Sequence, residues 1–133
     1  MEQREFSVTL ADYTITLTAL QLGRDLFVSI TGGDVPHIGT LTSYAKEGVL
    51  SLQQFPSHSG RVHKDNVLAE RVLTTIKPYL QGNCVLTAGV HVDGITKEQI
   101  QASFTMVDQL AEKLAQWLKT EQIMTPLPQY KKS

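Results

Sequence analysis

Apolar and polar residues alternate along the first part of the chain. Residues 5–11 (EFSVTLA) and 13–21 (YTITLTALQ) repeat with a period of two, which predicts strands with one face in a core. In the second run Tyr13, Ile15, Leu17 and Ala19 share a face, and Thr14, Thr16 and Thr18 share the other. Gly23-Arg24-Asp25 is a turn signal. Residues 26–30 predict a third strand ending at Gly32-Gly33, and residues 39–46 (GTLTSYAK) a fourth. Lys46-Glu47-Gly48 predicts a hairpin turn, with residues 49–55 as the returning strand. In chain order, the first half is an antiparallel meander.

The period then changes. From Asp65 onward Val67, Leu68, Val72, Leu73 and Ile76 mark a helical stripe. Asp65 is suited to N-cap that helix through its carboxylate. Pro78 and Gly82 close it or distort its last turn. Residues 84–92 (CVLTAGVHV) are almost continuously apolar, which predicts a buried strand. After the Asp93-Gly94 turn, Thr96 and Gln99 form a capping box, with Ile95 and Ile100 as its hydrophobic staple. Ile100, Phe104, Val107, Leu110, Leu114, Trp117 and Leu118 line one side of the long helix that follows. The expected fold is α+β: two layers, a mostly antiparallel sheet of about six strands, and two helices packed on one face. Residues 1–121 form a single domain, and residues 122–133, with Pro126 and Pro128, form a C-terminal tail.

Composition narrows the function classes. A length of 133 residues with 41% hydrophobic positions supports one packed core. The net charge of −1 gives no basis for general affinity for nucleic acid or acidic membranes. Any anion must therefore be held by a local arrangement. The single cysteine, Cys84, excludes an internal disulfide and fits a reducing compartment. No apolar run is long enough to span a bilayer and no signal peptide opens the chain, so the expected location is cytoplasmic.

The chemistry-bearing residues gather between Thr31 and Ile95. All four histidines, His37, His58, His63 and His91, fall there at strand ends or in loops. The stretch Gly32-Gly33-Asp34-Val35-Pro36-His37-Ile38-Gly39 could form an anion-binding nest or let the backbone approach a ligand. An ordinary strand connection is its simpler use. Ser57-His58-Ser59-Gly60-Arg61-Val62-His63-Lys64-Asp65 runs into a helix start. Hydroxyls, imidazoles, Arg61 and Lys64 ahead of unpaired helix amides are what a phosphate or carboxylate requires. A solvated loop with a capped helix would use the same residues. His91 and Asp93 lie two apart, on one face of an extended chain, where the carboxylate could fix the imidazole tautomer. The Gly-x4-Gly-Lys spacing of a P-loop is absent, as are short His-x3-His and Cys-x2-Cys pairs. Cys84 opens an apolar strand and reads as inert core.

Gly-Gly-Asp-x-Pro-His-Ile-Gly, then Pro-x-His before a basic helix start, then Ala-Gly-x-His-x-Asp-x-Ile-Thr, resembles the LpdD-like prenylated-flavin chaperones, small accessory proteins associated with UbiD-type gallate decarboxylases. The likeness spans residues 31–96. It implies a non-catalytic protein that binds prenylated FMN, or FMN, and delivers it to the decarboxylase subunit that acts on gallate or protocatechuate, as in tannin degradation. A flavin prenyltransferase would be the supplier. The implied cofactor-binding residues are Gly32, Gly33, Asp34, His37, His58, Ser59, Arg61, His63, Lys64, His91 and Asp93. Ser59-Gly60-Arg61-Val62 stands where a tighter basic turn is expected. The residues alone leave rivals open: a small acid–base enzyme using His58, His63 and His91 on a phosphorylated or carboxylated substrate, a metal-binding module, or a structural subunit of the decarboxylase. A domain this small offers little concave volume, so a homo-oligomer with a site between subunits is expected.

Overall fold

A computed structural model describes residues 2–48, 50–57, 65–120 and 129–130. The strands are β1 (Gln3–Leu10), β2 (Tyr13–Leu22), β3 (Asp25–Gly33), β4 (Thr40–Tyr44), β5 (Leu50–Gln54) and β6 (Cys84–His91). The helices are α1 (Asn66–Ile76), followed by a 3-10 turn at Lys77–Tyr79, and α2 (Lys97–Thr120). Pro78 stands in the first positions of that 3-10 turn, where its missing amide costs nothing. All six expected strands and both helices are present, in the expected two-layer α+β arrangement.

The meander does not hold beyond β3. The sheet order is β1-β2-β3-β6-β4-β5, with β6 inserted between β3 and β4. β3 and β6 pair in parallel, and the other four pairings are antiparallel. The reason lies in β6 itself. Leu86, Thr87, Ala88 and Gly89 in succession are buried, which requires neighbouring strands on both edges of β6 as well as the helices over Leu86 and Ala88.

The core lies between the sheet and the helices. Ile15, Leu17, Val28, Ile30 and Leu86 meet Val72 and Ile76 of α1 and Met106, Leu110 and Leu114 of α2. α2 packs on β1 and β2, while α1 packs on β6 and β4. Val67 and Ile100 fall off the buried stripes, exposed by 44% and 42%. The β1–β2 hairpin turns through Ala11 and Asp12, both with positive φ (52° and 67°). Such a two-residue turn matches strand twist. α2 pins it: Gln99 Nε2 donates to Ala11 O (3.0 Å), and Tyr13 Oη donates to Gln99 O (2.8 Å).

Candidate functional site

The parallel pairing of β3 with β6 brings their C-terminal ends to one edge of the sheet, with Gly33 beside His91. β4 begins there and β5 ends there, since Thr40 lies between Ala88 and Gln54. Both helices start at the same edge. Asp65, ahead of α1, bonds to β6, and Gln99, in the first turn of α2, bonds to the β1–β2 turn. The 31–39 loop and the 91–94 turn therefore lie at one edge. Residues 58–64 join Ser57 to Asp65 in the sequence. His58, Ser59, Arg61, His63 and Lys64 lie outside the described residues.

Hydrogen bonds tie the described segments together. The amides of Asp34 and Val35 both donate to His91 O, at 2.6 and 3.4 Å. The Asp34 carboxylate accepts the amide of Asp93 at 2.8 Å. His91 Nε2 lies 2.9 Å from Asp93 Oδ1, so the expected pairing on one face is observed. With Nε2–H donating, Nδ1 is the acceptor of the neutral ring. The His91 side chain remains half exposed, at 51%. His37 Nδ1 lies 2.9 Å from Val35 O, and the carbonyl can only accept. Its Nε2 lies 3.8 Å from Asp65 Oδ2. Beside these groups, Val35 and Ile38 expose 51% and 57% of their surface.

One sequence expectation changes here. Asp65 precedes α1 but makes no cap hydrogen bond with its side chain. Its Oδ1 instead accepts the amide of Val90 at 3.3 Å. β6 runs on past the start of β4, and the carboxylate takes the ladder position that β4 leaves empty; Gly39 N to Ala88 O is the preceding bond on that side. At Gly32 and Gly33 the room a Cβ would take is filled by this chain's own backbone. A Cβ on Gly32 would overlap Thr14 O, and one on Gly33, whose φ is +78°, would overlap His91 O. Gly89 is a further requirement, because a Cβ there would overlap the His37 carbonyl. Gly33 and Gly89 let the loop close over β6, and Gly32 lets β3 lie close against β2.

The capping box stands as expected, with Thr96 N to Gln99 Oε1 and Gln99 N to Thr96 Oγ1 both at 3.1 Å. Burial pushes the Cys84 thiol up to about 12, in keeping with an inert core residue. Among the described residues no three His, Cys, Asp or Glu side chains are placed to hold a metal. No described helix is long and apolar enough to cross a membrane. A cavity of about 600 Å³ is an open groove between β1 and the C-terminal half of α2, lined by Phe6 and Trp117 among others. It contains none of the motif residues, so the loop edge rather than the groove is the candidate site.

A family model for the prenylated flavin chaperone LpdD-like domain matches residues 9–119. The chain belongs to this family. Protein LpdD of Lactiplantibacillus plantarum (strain ATCC BAA-793 / NCIMB 8826 / WCFS1) is 40% identical over 125 residues, covering 94% of this chain and 92% of that protein. Among solved structures, a chaperone complex for yeast 20S proteasome assembly aligns with a TM-score of 0.48 at 10% identity, over 84% of this chain and 99% of that one. Membership in the LpdD-like family supports a chaperone role connected with prenylated flavin. The family match extends on both sides of the 31–96 motifs, into β1, β2 and α2, which carry no recognisable signature of their own.

Proposed function

We propose that this chain binds prenylated FMN at the edge where α1 and α2 begin, and hands it to a UbiD-type decarboxylase of aromatic acids such as gallate or protocatechuate. A flavin prenyltransferase would supply the cofactor, and the protein would work in the cytoplasm as a homo-oligomer. The observation that carries this reading is the meeting of the 32–39 loop, the 91–93 turn and the start of α1 at one edge. Two helix N-termini there favour a phosphate. The Asp65 carboxylate is turned toward Val90 and His37, so it does not satisfy the first-turn amides of α1.

The donor set fits a phosphorylated flavin. Arg61 and Lys64, with His58, Ser59 and His63, are the residues that would hold the phosphate. The exposed Val35 and Ile38 offer apolar cover for a ring system. The imidazoles of His37 and His91 and the carboxylates of Asp34 and Asp93 offer partners for its carbonyls and N–H groups. Prenylated FMN supplies its chemistry in the decarboxylase, and the residues here bind and orient it. The test is a fluorescence titration with FMN and with prenylated FMN. Saturable binding at micromolar concentrations is expected, weakened at least roughly tenfold (about 1.4 kcal/mol) in Arg61→Ala/Lys64→Ala. Absence of binding by the folded wild-type protein overturns the proposal.

The 2.9 Å His91–Asp93 pair supports a second reading, an acid–base enzyme acting on a phosphorylated or carboxylated substrate. Under it, His91→Ala abolishes turnover while flavin binding is absent from the start.

A further inference from the structure

β1 is one edge of the sheet, and among the described residues it is paired with β2 alone. Gln21 N donates to Glu2 O at 2.8 Å, which shows which way the peptide groups of this strand point. In an extended strand the N–H and C=O of one residue point to one side, and those of the next residue to the other. Glu2, Arg4, Phe6 and Val8 therefore turn theirs toward β2. Gln3, Glu5, Ser7 and Thr9 turn theirs outward, to the open edge. Phe6 and Val8 pack against the core. On this strand, then, the residues bonded to β2 carry their side chains toward the helices.

The groove between β1 and α2 lies where the side chains of one more strand would fall. Phe6 and Trp117 line it, and the Arg4 guanidinium stands 6.0 Å from the centre of the Trp117 ring. The Trp117 Nε1 is buried with no hydrogen-bond partner among the described residues. Thr120, the last residue of α2, lines the groove as well. α2 begins beside Ala11 and reaches Arg4 at Trp117, so it runs opposite to β1. A chain that turns back after Thr120 runs beside β1 and parallel to it.

We infer that residues 123–128 (IMTPLP) of this same chain dock in the groove as a seventh strand on the open edge of β1. Residues 121–128 follow Thr120 directly and lie outside the described residues. Their sequence suits that place. Thr125 and Leu127 each precede a proline, which disfavours helix and favours extended backbone. Pro126 and Pro128 are two apart, so the N–H groups they lack fall on one side of an extended segment. A sheet accepts prolines only where that side faces outward. Ile123, Thr125 and Leu127 are then the residues that bond to β1. In a strand parallel to β1 and outside it, residues bonded inward carry their side chains toward the helices, as Arg4 and Phe6 do. Ile123 and Leu127 therefore enter the groove beside Phe6 and Trp117, and the prolines guard the new edge against further pairing. Six extended residues span about 20 Å at ~3.3 Å each. The stretch of α2 that walls the groove, Gln109 to Thr120, is about 16 Å long at 1.5 Å per residue. None of this rests on the proposed flavin binding.

The experiment is amide hydrogen exchange on the full chain without flavin, with Trp117, the single tryptophan, as a fluorescent reporter. The amides of Thr125 and Leu127, and those of Glu5 and Ser7 on the outer side of β1, are expected to exchange at least roughly tenfold more slowly than that of Met124, which points away. Thr125→Pro removes an inward N–H. It is expected to bring the Glu5 and Ser7 amides to the Met124 rate and to move the Trp117 emission to longer wavelength, while the β2 amides keep their protection. Met124→Pro removes an outward N–H and is expected to leave both readings as in wild type. Exchange of residues 123–128 at the rate of an unstructured peptide overturns the inference. So do equal protection of Met124 and Thr125, equal losses in the two proline variants, or no loss in either. Protection that weakens on dilution assigns the segment to a second copy and overturns it as well.

Discussion

The Asp65 carboxylate accepts the backbone amide of Val90 at 3.3 Å, joining the start of α1 to the end of the central strand. A side chain here does the work of a missing strand. Removing it leaves a partly buried amide without its acceptor, which costs about 1–3 kcal/mol. Asp65→Ala is expected to lower stability by about 1–2 kcal/mol in urea unfolding. Asp65→Asn keeps an acceptor oxygen and is expected to cost less than about 1 kcal/mol. Equal losses in the two variants would show that charge, through His37, matters more than the ladder bond.

Gly89 and Gly94 separate two uses of glycine. At Gly89 the obstacle is the His37 backbone, which cannot move without lifting the loop. Gly94 has φ +60° but open space around it. Gly94→Ala is expected to cost about 1–2 kcal/mol, the strain of a left-handed residue. Gly89→Ala is expected to exceed about 3 kcal/mol or to detach the 34–39 loop, seen as faster amide exchange at Gly39 and Asp34.

Thr42 is fully buried beneath the helices with no hydrogen-bond partner for its hydroxyl. Valine has the same shape without the polar atom. Thr42→Val is expected to stabilise the fold by about 1 kcal/mol, raising the melting temperature by roughly 4 °C. Thr14→Val on the exposed face is expected to stay within about 0.5 kcal/mol of wild type.

Burial raises the Cys84 thiol from 9.0 to about 12. At about pH 8 its alkylation in the native protein is expected to be on the order of 10³-fold slower than that of a free thiol. In the unfolded chain the thiol ionises near 9.0, whereas the folded chain keeps the proton until about 12. The unfolded state therefore gains stability as pH rises through that window, and the native state loses it. The stability advantage of wild type over Cys84→Ala is expected to shrink by about 1 kcal/mol between about pH 8 and about pH 10, measured by urea midpoints.

The strands and helices were legible because each rests on a local pattern. The two-residue period of β2 reports a half-buried strand wherever the strand ends up in the sheet. The Thr96–Gln99 box likewise needs only four residues to form. The β1–β2 turn was less visible, because Ala11 and Asp12 lack the Asn-Gly signature and hold positive φ with help from Gln99 of α2. In the candidate site, the His91–Asp93 pair follows from strand geometry alone. The use of Asp65 could not be read, since its partner is 25 residues away on a strand whose neighbours were not yet fixed.

The sequence by itself determined which segments become strands and helices, which faces are apolar, and which polar residues sit at strand ends. Period, capping and turn chemistry act over a few residues, so they need no knowledge of the whole. The tertiary structure decided the position of β6 between β3 and β4, and with it the edge where Gly33, His37, Asp65 and His91 meet. That choice depends on giving β6 a paired strand on each edge and helix cover over Leu86 and Ala88. Only the complete sheet, with its helices on one side, provides that cover.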